Sequence, residues 1–241
     1  MTSRMRRTQA LPVLSAVPAT TADGGGPGTG FWLGVVPVTV GEYWDYLCSA
    51  AADPAPRADP RAHGFPPTPG VGIRCVGGRL ALDAADLDLP VTHVTWWGAR
   101  AYCSWLGEQL GRVTRLPTAA EWEHAAGGGR GLRWALGDAF DRPLYAPEAD
   151  GPRPVGSTPS NAFGLRDLTG NVFEWCADEL VVDGPDGPVG GLGSRLLKGG
   201  AFTVRNPSSF ENTTSFSADE LTAVPYIGFR VLVEDAATAS D

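Results

Sequence analysis

The segment Thr203-Val-Arg205-Asn206-Pro-Ser208-Ser209-Phe210-Glu211-Asn212-Thr213-Thr214 holds the densest set of groups capable of chemistry in this chain. It is polar yet carries an aromatic residue, and it follows the pair Gly199-Gly200. Arg205 offers a planar fork for a carboxylate. Glu211 becomes a general base if a dry wall raises its pKa. Asn206 and Asn212 can orient an amide or a carbonyl. Arg205, Asn206, Glu211 and Asn212 are therefore the expected catalytic set, with Ser209, Phe210 and Thr214 lining the substrate. Trp175 is placed as a wall of the same cleft. His63, beside Gly64-Phe-Pro-Pro67, is placed to reach over it. The same residue types also build turns in a solvated loop.

Other chemistry-bearing residues are sparse. Cys48, Cys75, Cys103 and Cys176 match no metal knuckle and no CxxC pair, and read as buried free thiols. His63, His93 and His124 lie far apart, so their spacing suggests no three-histidine metal site.

The elements that must position these groups are two helices and many short strands. Phe31–Val36 reads as a strand. Thr39 and Glu42 have capping-box spacing ahead of a helix ending near Ser49. A clear helix runs from Trp96 to about Leu110 and stops at Gly111. Thr118 and Glu121 form a second capping box, and Gly127-Gly-Gly129 ends the helix that it starts. Strands are expected at Val71–Val76, Arg79–Leu82, Arg195–Lys198 and Ile227–Val233, and residues 50–70 as an excursion loop. The resulting class is α+β in one compact domain. Residues 1–30, ending in Asp23-Gly-Gly-Gly-Pro-Gly-Thr-Gly, are expected to form a disordered leader, 31–234 the domain, and 235–241 a flexible tail.

Bulk composition narrows the function classes. The 241 residues are 43% hydrophobic, enough for one full core. The 32 glycines and 21 prolines suit a loop-rich fold. A net charge of -8 with no basic stripe argues against nucleic acid and anionic membrane as partners, leaving a small molecule. No run approaches the roughly 18 apolar residues of a spanning helix. Arg4, Arg6 and Arg7 before an apolar stretch imitate a signal peptide that Pro12 and Pro18 break, so a cytoplasmic location is expected.

An ordered set of short segments resembles the formylglycine-generating, sulfatase-modifying factor family. They include Pro37-Val-Thr39, Pro90-Val-Thr-His-Val-Thr-Trp96, Ala101-Tyr-Cys-Ser-Trp105, Arg115-Leu-Pro-Thr118 with Glu121-Trp-Glu123, Gly170-Asn-Val-Phe-Glu-Trp175, Lys198-Gly-Gly200 and Gly228-Phe-Arg230. The resemblance implies a fold related to C-type lectins, with little regular secondary structure and two main helices. It also implies a structural calcium held by Asn171, Glu174 and the backbone around Gly170 and Val172, a donor set that suits a hard ion. The plainer alternative is that Asn171 caps a turn and Glu174 meets a buried arginine.

The departures bear on chemistry. Copper-dependent members carry two cysteines after the Lys-Gly-Gly element. Counting from Lys198, Ser209 and Thr214 stand at those places, and no cysteine occurs between Ala201 and Ile227. A hydroxyl does not replace a thiolate for a soft metal. The family's frequent aspartate after the tryptophan pair is Gly98. Three accounts follow. The first is a redox-neutral enzyme acting on an acidic or amino-acid-like metabolite in a biosynthetic pathway, with structural calcium and no organic cofactor. The second is an iron- or copper-dependent oxidative enzyme using His63 with His93 or His124, or with carboxylates. The third is a non-catalytic, lectin-like binding module.

Overall fold

Four helices start where side chains satisfy their first backbone N–H groups. In the computed structural model, which describes residues 11–20, 27–51, 57, 59–66, 72–184 and 187–235, α1 spans Val40–Ala51. The Thr39 N–H donates to Glu42 Oε2 at 2.8 Å and the Glu42 N–H to Thr39 Oγ1 at 3.2 Å, a reciprocal box. Helix α2, Trp96–Leu110, is capped by the Thr95 hydroxyl and ends at Gly111 in the left-handed region. Its residues Ala99, Tyr102, Cys103 and Leu106 recur at three- and four-residue steps and are buried. Helix α3, Ala119–Ala126, has the expected Thr118–Glu121 box, and the one-turn α4 covers Arg142–Tyr145.

Among the described residues there are twelve strands, all short. They are β1 (Leu14–Val17), β2 (Phe31–Gly34), β3 (Ile73–Val76), β4 (Arg79–Leu82), β5 (Thr114–Arg115), β6 (Phe173–Glu179), β7 (Val182–Gly184), β8 (Gly187–Val189), β9 (Ser194–Lys198), β10 (Phe216–Asp219), β11 (Ile227–Gly228) and β12 (Leu232–Glu234). One sheet has the order β1-β2-β12-β5 and the other β10-β9-β6-β11. The pairs β3-β4 and β7-β8 are separate hairpins. All pairings are antiparallel except β11 with β6.

Two expectations are corrected here. The leader is not disordered throughout: Leu14–Val17 pairs residue for residue with Gly34–Phe31, and Val17 is buried. Pro12 and Pro18 fall outside the four paired residues, so they leave the ladder intact. Residues 1–10 and 21–26 lie outside the described residues, as do the tail beyond residue 235 and parts of the 50–70 loop. The last strand, expected as one piece, is two. Its interruption is Arg230, which leaves the ladder to enter the core.

There Arg230 Nε and Nη2 each donate to Glu174 at 2.6 Å, one to each carboxylate oxygen. Nη1 donates to the Gly34 carbonyl at 2.9 Å and Nη2 to that of Arg166 at 3.1 Å. The Trp122 indole donates to Glu174 at 2.7 Å. Side chains from β6 and α3, and backbone at β2, thus meet on one ion pair, its guanidinium 0% exposed and its carboxylate 1% exposed. An aromatic cluster of Tyr43, Tyr102, Phe229 and Trp175 fills the larger core between the sheets and the first two helices.

Candidate functional site

The 203–216 segment is organised around its own fold. Glu211 forms an exposed ion pair with Arg133 at 2.7 Å, whose side chain is 55% exposed. That cation, and not a dry wall, faces the carboxylate expected as the general base. Arg205 turns back to the carbonyls of Phe202 and Val204. Its own carbonyl accepts from Arg142. Asn206 accepts from the Ser208 N–H and opens the 3₁₀ turn Pro207–Phe210. Asn212 is buried and donates to the Leu132 carbonyl at 2.8 Å. Thr214 donates to the Ser208 carbonyl at 2.8 Å, and the Ser209 N–H donates to the Asn206 carbonyl. Phe210 is fully buried with Trp134, Tyr145 and Ala146. A Cβ on Gly200 would overlap the Phe210 ring, which explains the glycine there. These residues come together in space as one packed, internally hydrogen-bonded loop.

Trp175 and His63 stand elsewhere. Trp175 is fully buried, its indole donating to the Val94 carbonyl at 3.0 Å, so it walls no cleft. His63 is 3% exposed, stacked on Phe65, and its Nε2 accepts from the Asp59 N–H at 3.2 Å. Burial lowers its pKa to about 4. The segment carrying it packs over Gly98, where any Cβ would overlap the Ala62 carbonyl oxygen. Gly98, read as a departure from the family, is thus the seat of that segment.

Glu174, expected as a calcium ligand, is turned towards an arginine. Both Glu174 oxygens already face the Arg230 guanidinium, and one also takes the Trp122 N–H. The Arg230 guanidinium thus holds the carboxylate on which the expected calcium would draw. Asn171, at φ 64°, exchanges two hydrogen bonds with the Arg153 backbone. Gly170 is shaped by close approach to the Tyr145 carbonyl, and the Val172 side chain is buried. Copper fits no better. Cys103 and Cys176 are buried apart, in different core clusters, and burial pushes both thiols up, away from the thiolate a soft metal needs. Among the described residues, no three His, Cys, Asp or Glu side chains gather as a metal site.

A groove of about 450 Å³ opens instead beside α2, lined by Trp96, Arg100, Cys103, Ser104, Thr114, Arg115, Leu116, Ala177 and Arg195. This volume suits a small ligand. Helix α2 places Trp96 and Arg100 one turn apart, β5 brings Arg115, and β9 brings Arg195. The Arg195 guanidinium carbon lies 3.8 Å from the Trp96 ring centroid, and that of Arg100 lies 4.8 Å from it. Arg100 also lies 5.5 Å from Trp97, which Arg61 covers at 4.9 Å. The indole quadrupoles hold this ladder of cations.

The arginines differ in pairing. Arg115 is neutralised by Glu121 on two oxygens and by Glu234, contacts that raise its pKa. Arg195 meets Glu220 at 3.2 Å. Among the described residues, Arg100 has no carboxylate in ion-pair range. The groove therefore offers one uncommitted cation beside an apolar floor of Leu116 and Ala177. Sequence reasoning missed it. Only the Trp96–Arg100 step, one helical turn, was visible locally, and Arg195 arrives from a distant strand.

A two-sheet α+β domain with Glu174 and Arg230 at its centre, two of its helices opened by Thr–Glu boxes, defines the formylglycine-generating-enzyme-like class. The chain belongs to the family described as sulfatase-modifying factor enzyme 1-like domain, which matches residues 26–235. It is 40% identical over 184 residues to the inactive C-alpha-formylglycine-generating enzyme 2 of Bos taurus, covering 68% of this chain and 54% of that protein. It is 40% identical over 136 residues to the serine/threonine-protein kinase Pkn1 of Chlamydia trachomatis, covering 52% of this chain and 21% of the kinase. The chain thus spans about a fifth of one relative and about half of the other. The crystal structure of CarF shares the fold with a TM-score of 0.67 at 22% identity, over 94% of this chain and 99% of CarF.

Proposed function

We propose that this protein is a ligand-recognition member of the family, which binds a small acidic, amino-acid-like metabolite and does not oxidise a cysteine through copper. The observation that carries this reading is the groove beside α2, where Arg100 stands uncommitted over Trp96 next to an apolar floor. Arg100 is exposed, so a carboxylate there gains a charge-assisted bond that water screens, while the floor takes up the ligand's apolar body. Two further facts support the reading. The groups that acid/base catalysis would use in 203–216 are held by internal partners. The similarity to a relative named inactive agrees with the missing cysteine pair.

The test is calorimetric titration with hippurate and with its methyl ester. The acid binds and the ester does not, and Arg100→Ala weakens the acid by up to about five-fold, since an exposed ion pair contributes about 0.2–1 kcal/mol. Equal binding of acid and ester would sink the proposal.

A further inference from the structure

Arg195 carries an unfinished hydrogen-bond set. Its Nη2 donates to Glu220 Oε2 at 3.2 Å, while its Nε is buried with no partner. Nε–H and Nη2–H form one edge of the guanidinium, the edge that accepts a carboxylate two-pronged. Arg230 shows the completed form in the same molecule, with Glu174 oxygens at 2.6 Å from both nitrogens. On Arg195 that edge is half used, by a longer bond. A buried donor without an acceptor is costly, and such a group calls for an explanation.

We propose that Arg195 is the carboxylate receptor of the groove, and that Glu220 is an internal stand-in which the ligand displaces. This rests on the reading of the groove as a ligand site. The backbone supports it. The Glu220 N–H donates to the Gly193 carbonyl at 2.8 Å, and the Glu220 carbonyl accepts from the Trp96 N–H at 3.1 Å. The main chain of Glu220 is therefore tied to the start of α2, and only its side chain is free to swing. That side chain is 22% exposed, so water receives it. Arg195 itself stays in place, because β9 pairs with β10 on one side and β6 on the other, and its guanidinium lies on the Trp96 ring.

The occupant is a monocarboxylate. One planar anion replaces another of the same charge and takes both Nε–H and Nη2–H, which the Glu220 contact does not. Arg100, on the same indole, then steers the ligand towards that edge. Glu220 sets the threshold: it excludes anions that bind Arg195 no better than a tethered carboxylate does.

The experiment is fluorine NMR titration of the full chain with 4-fluorobenzoate, using wild type, Glu220→Gln and Arg100→Ala, and 4-fluorophenyl phosphate as a second probe. Glu220→Gln is expected to bind 4-fluorobenzoate about three- to five-fold tighter than wild type, the gain from removing a partly exposed competing pair. In wild type, saturation with 4-fluorobenzoate shifts the Arg195 Nε–H signal, a readout that needs no variant to fold. Unchanged or weaker binding by Glu220→Gln, or an unmoved Nε–H signal, overturns the displacement even where Arg100→Ala still loses affinity. Equal binding by wild type and Arg100→Ala, or no binding by wild type and Glu220→Gln alike, overturns the groove reading as well. Tighter binding of the phosphate overturns the assignment of a carboxylate.

Discussion

Replacing Glu174 by glutamine removes a charge and almost no volume, so its effect isolates the buried ion pair. In the wild type the carboxylate accepts from Arg230 Nε and Nη2 at 2.6 Å and from the Trp122 indole at 2.7 Å, all out of water. The variant leaves the Arg230 charge in the core with only the Gly34, Val35 and Arg166 carbonyls around it. Breaking one side of such a pair costs about 3–5 kcal/mol. For a domain of this size each kcal/mol shifts the melting temperature by about 2–4 °C, so the fall is roughly 6–20 °C. Urea unfolding followed by tryptophan fluorescence measures it, once in a chelator and once in excess calcium. Equal losses in both media follow if the carboxylate serves the arginine. A loss under about 1 kcal/mol, or one seen only with calcium, would refute the assignment and restore Glu174 as a calcium ligand.

Gly98→Asp restores the family's common residue, yet its Cβ would overlap the Ala62 carbonyl oxygen and lie 3.0 Å from the Tyr43 hydroxyl. A loss of about 1–3 kcal/mol in denaturant unfolding is expected, and an unchanged midpoint would contradict the packing described. His63 has its pKa lowered by burial to about 4, so the unfolded chain takes up a proton that the folded chain does not. Its stabilising effect is full above the unfolded pKa of about 6.5 and falls away as pH drops towards 4, by roughly 3 kcal/mol. His93 is lowered in the same direction, so His63→Gln flattens the stability–pH slope across that window without abolishing it. An unchanged slope counts against the buried neutral imidazole. A thiol reagent added to the native protein labels Cys48 and Cys75 but not the buried Cys103 and Cys176, as peptide mapping will show. Rapid labelling of either buried thiol would contradict their burial.

Much of the fold was legible because its signals are local. Thr39 with Glu42, and Thr118 with Glu121, start helices through bonds spanning three residues, and Gly111 stops one by its own backbone geometry. The ordered anchor segments pointed to the family for a similar reason, since each is a short run. What failed required knowledge of partners far along the chain. Glu211 looked available until Arg133 arrived from 78 positions away, and Asn212 until the Leu132 carbonyl did from 80. Glu174 offered a carboxylate to either a metal or an arginine, and only the fold brings Arg230 across 56 positions to take it. The groove was hidden for the same reason: Arg100 and Arg195 share one indole only after helix and strand pack together.

The proposed ligand site lies beside α2 and not over the 203–216 loop. Crystals soaked with 4-bromobenzoate locate the anion directly through the bromine's anomalous signal. Bromine is expected in the groove over Leu116 and Ala177, with the carboxylate against Arg100 and Arg195. Bromine over Arg205 and Glu211, or a groove empty at saturating concentration, would contradict this placement.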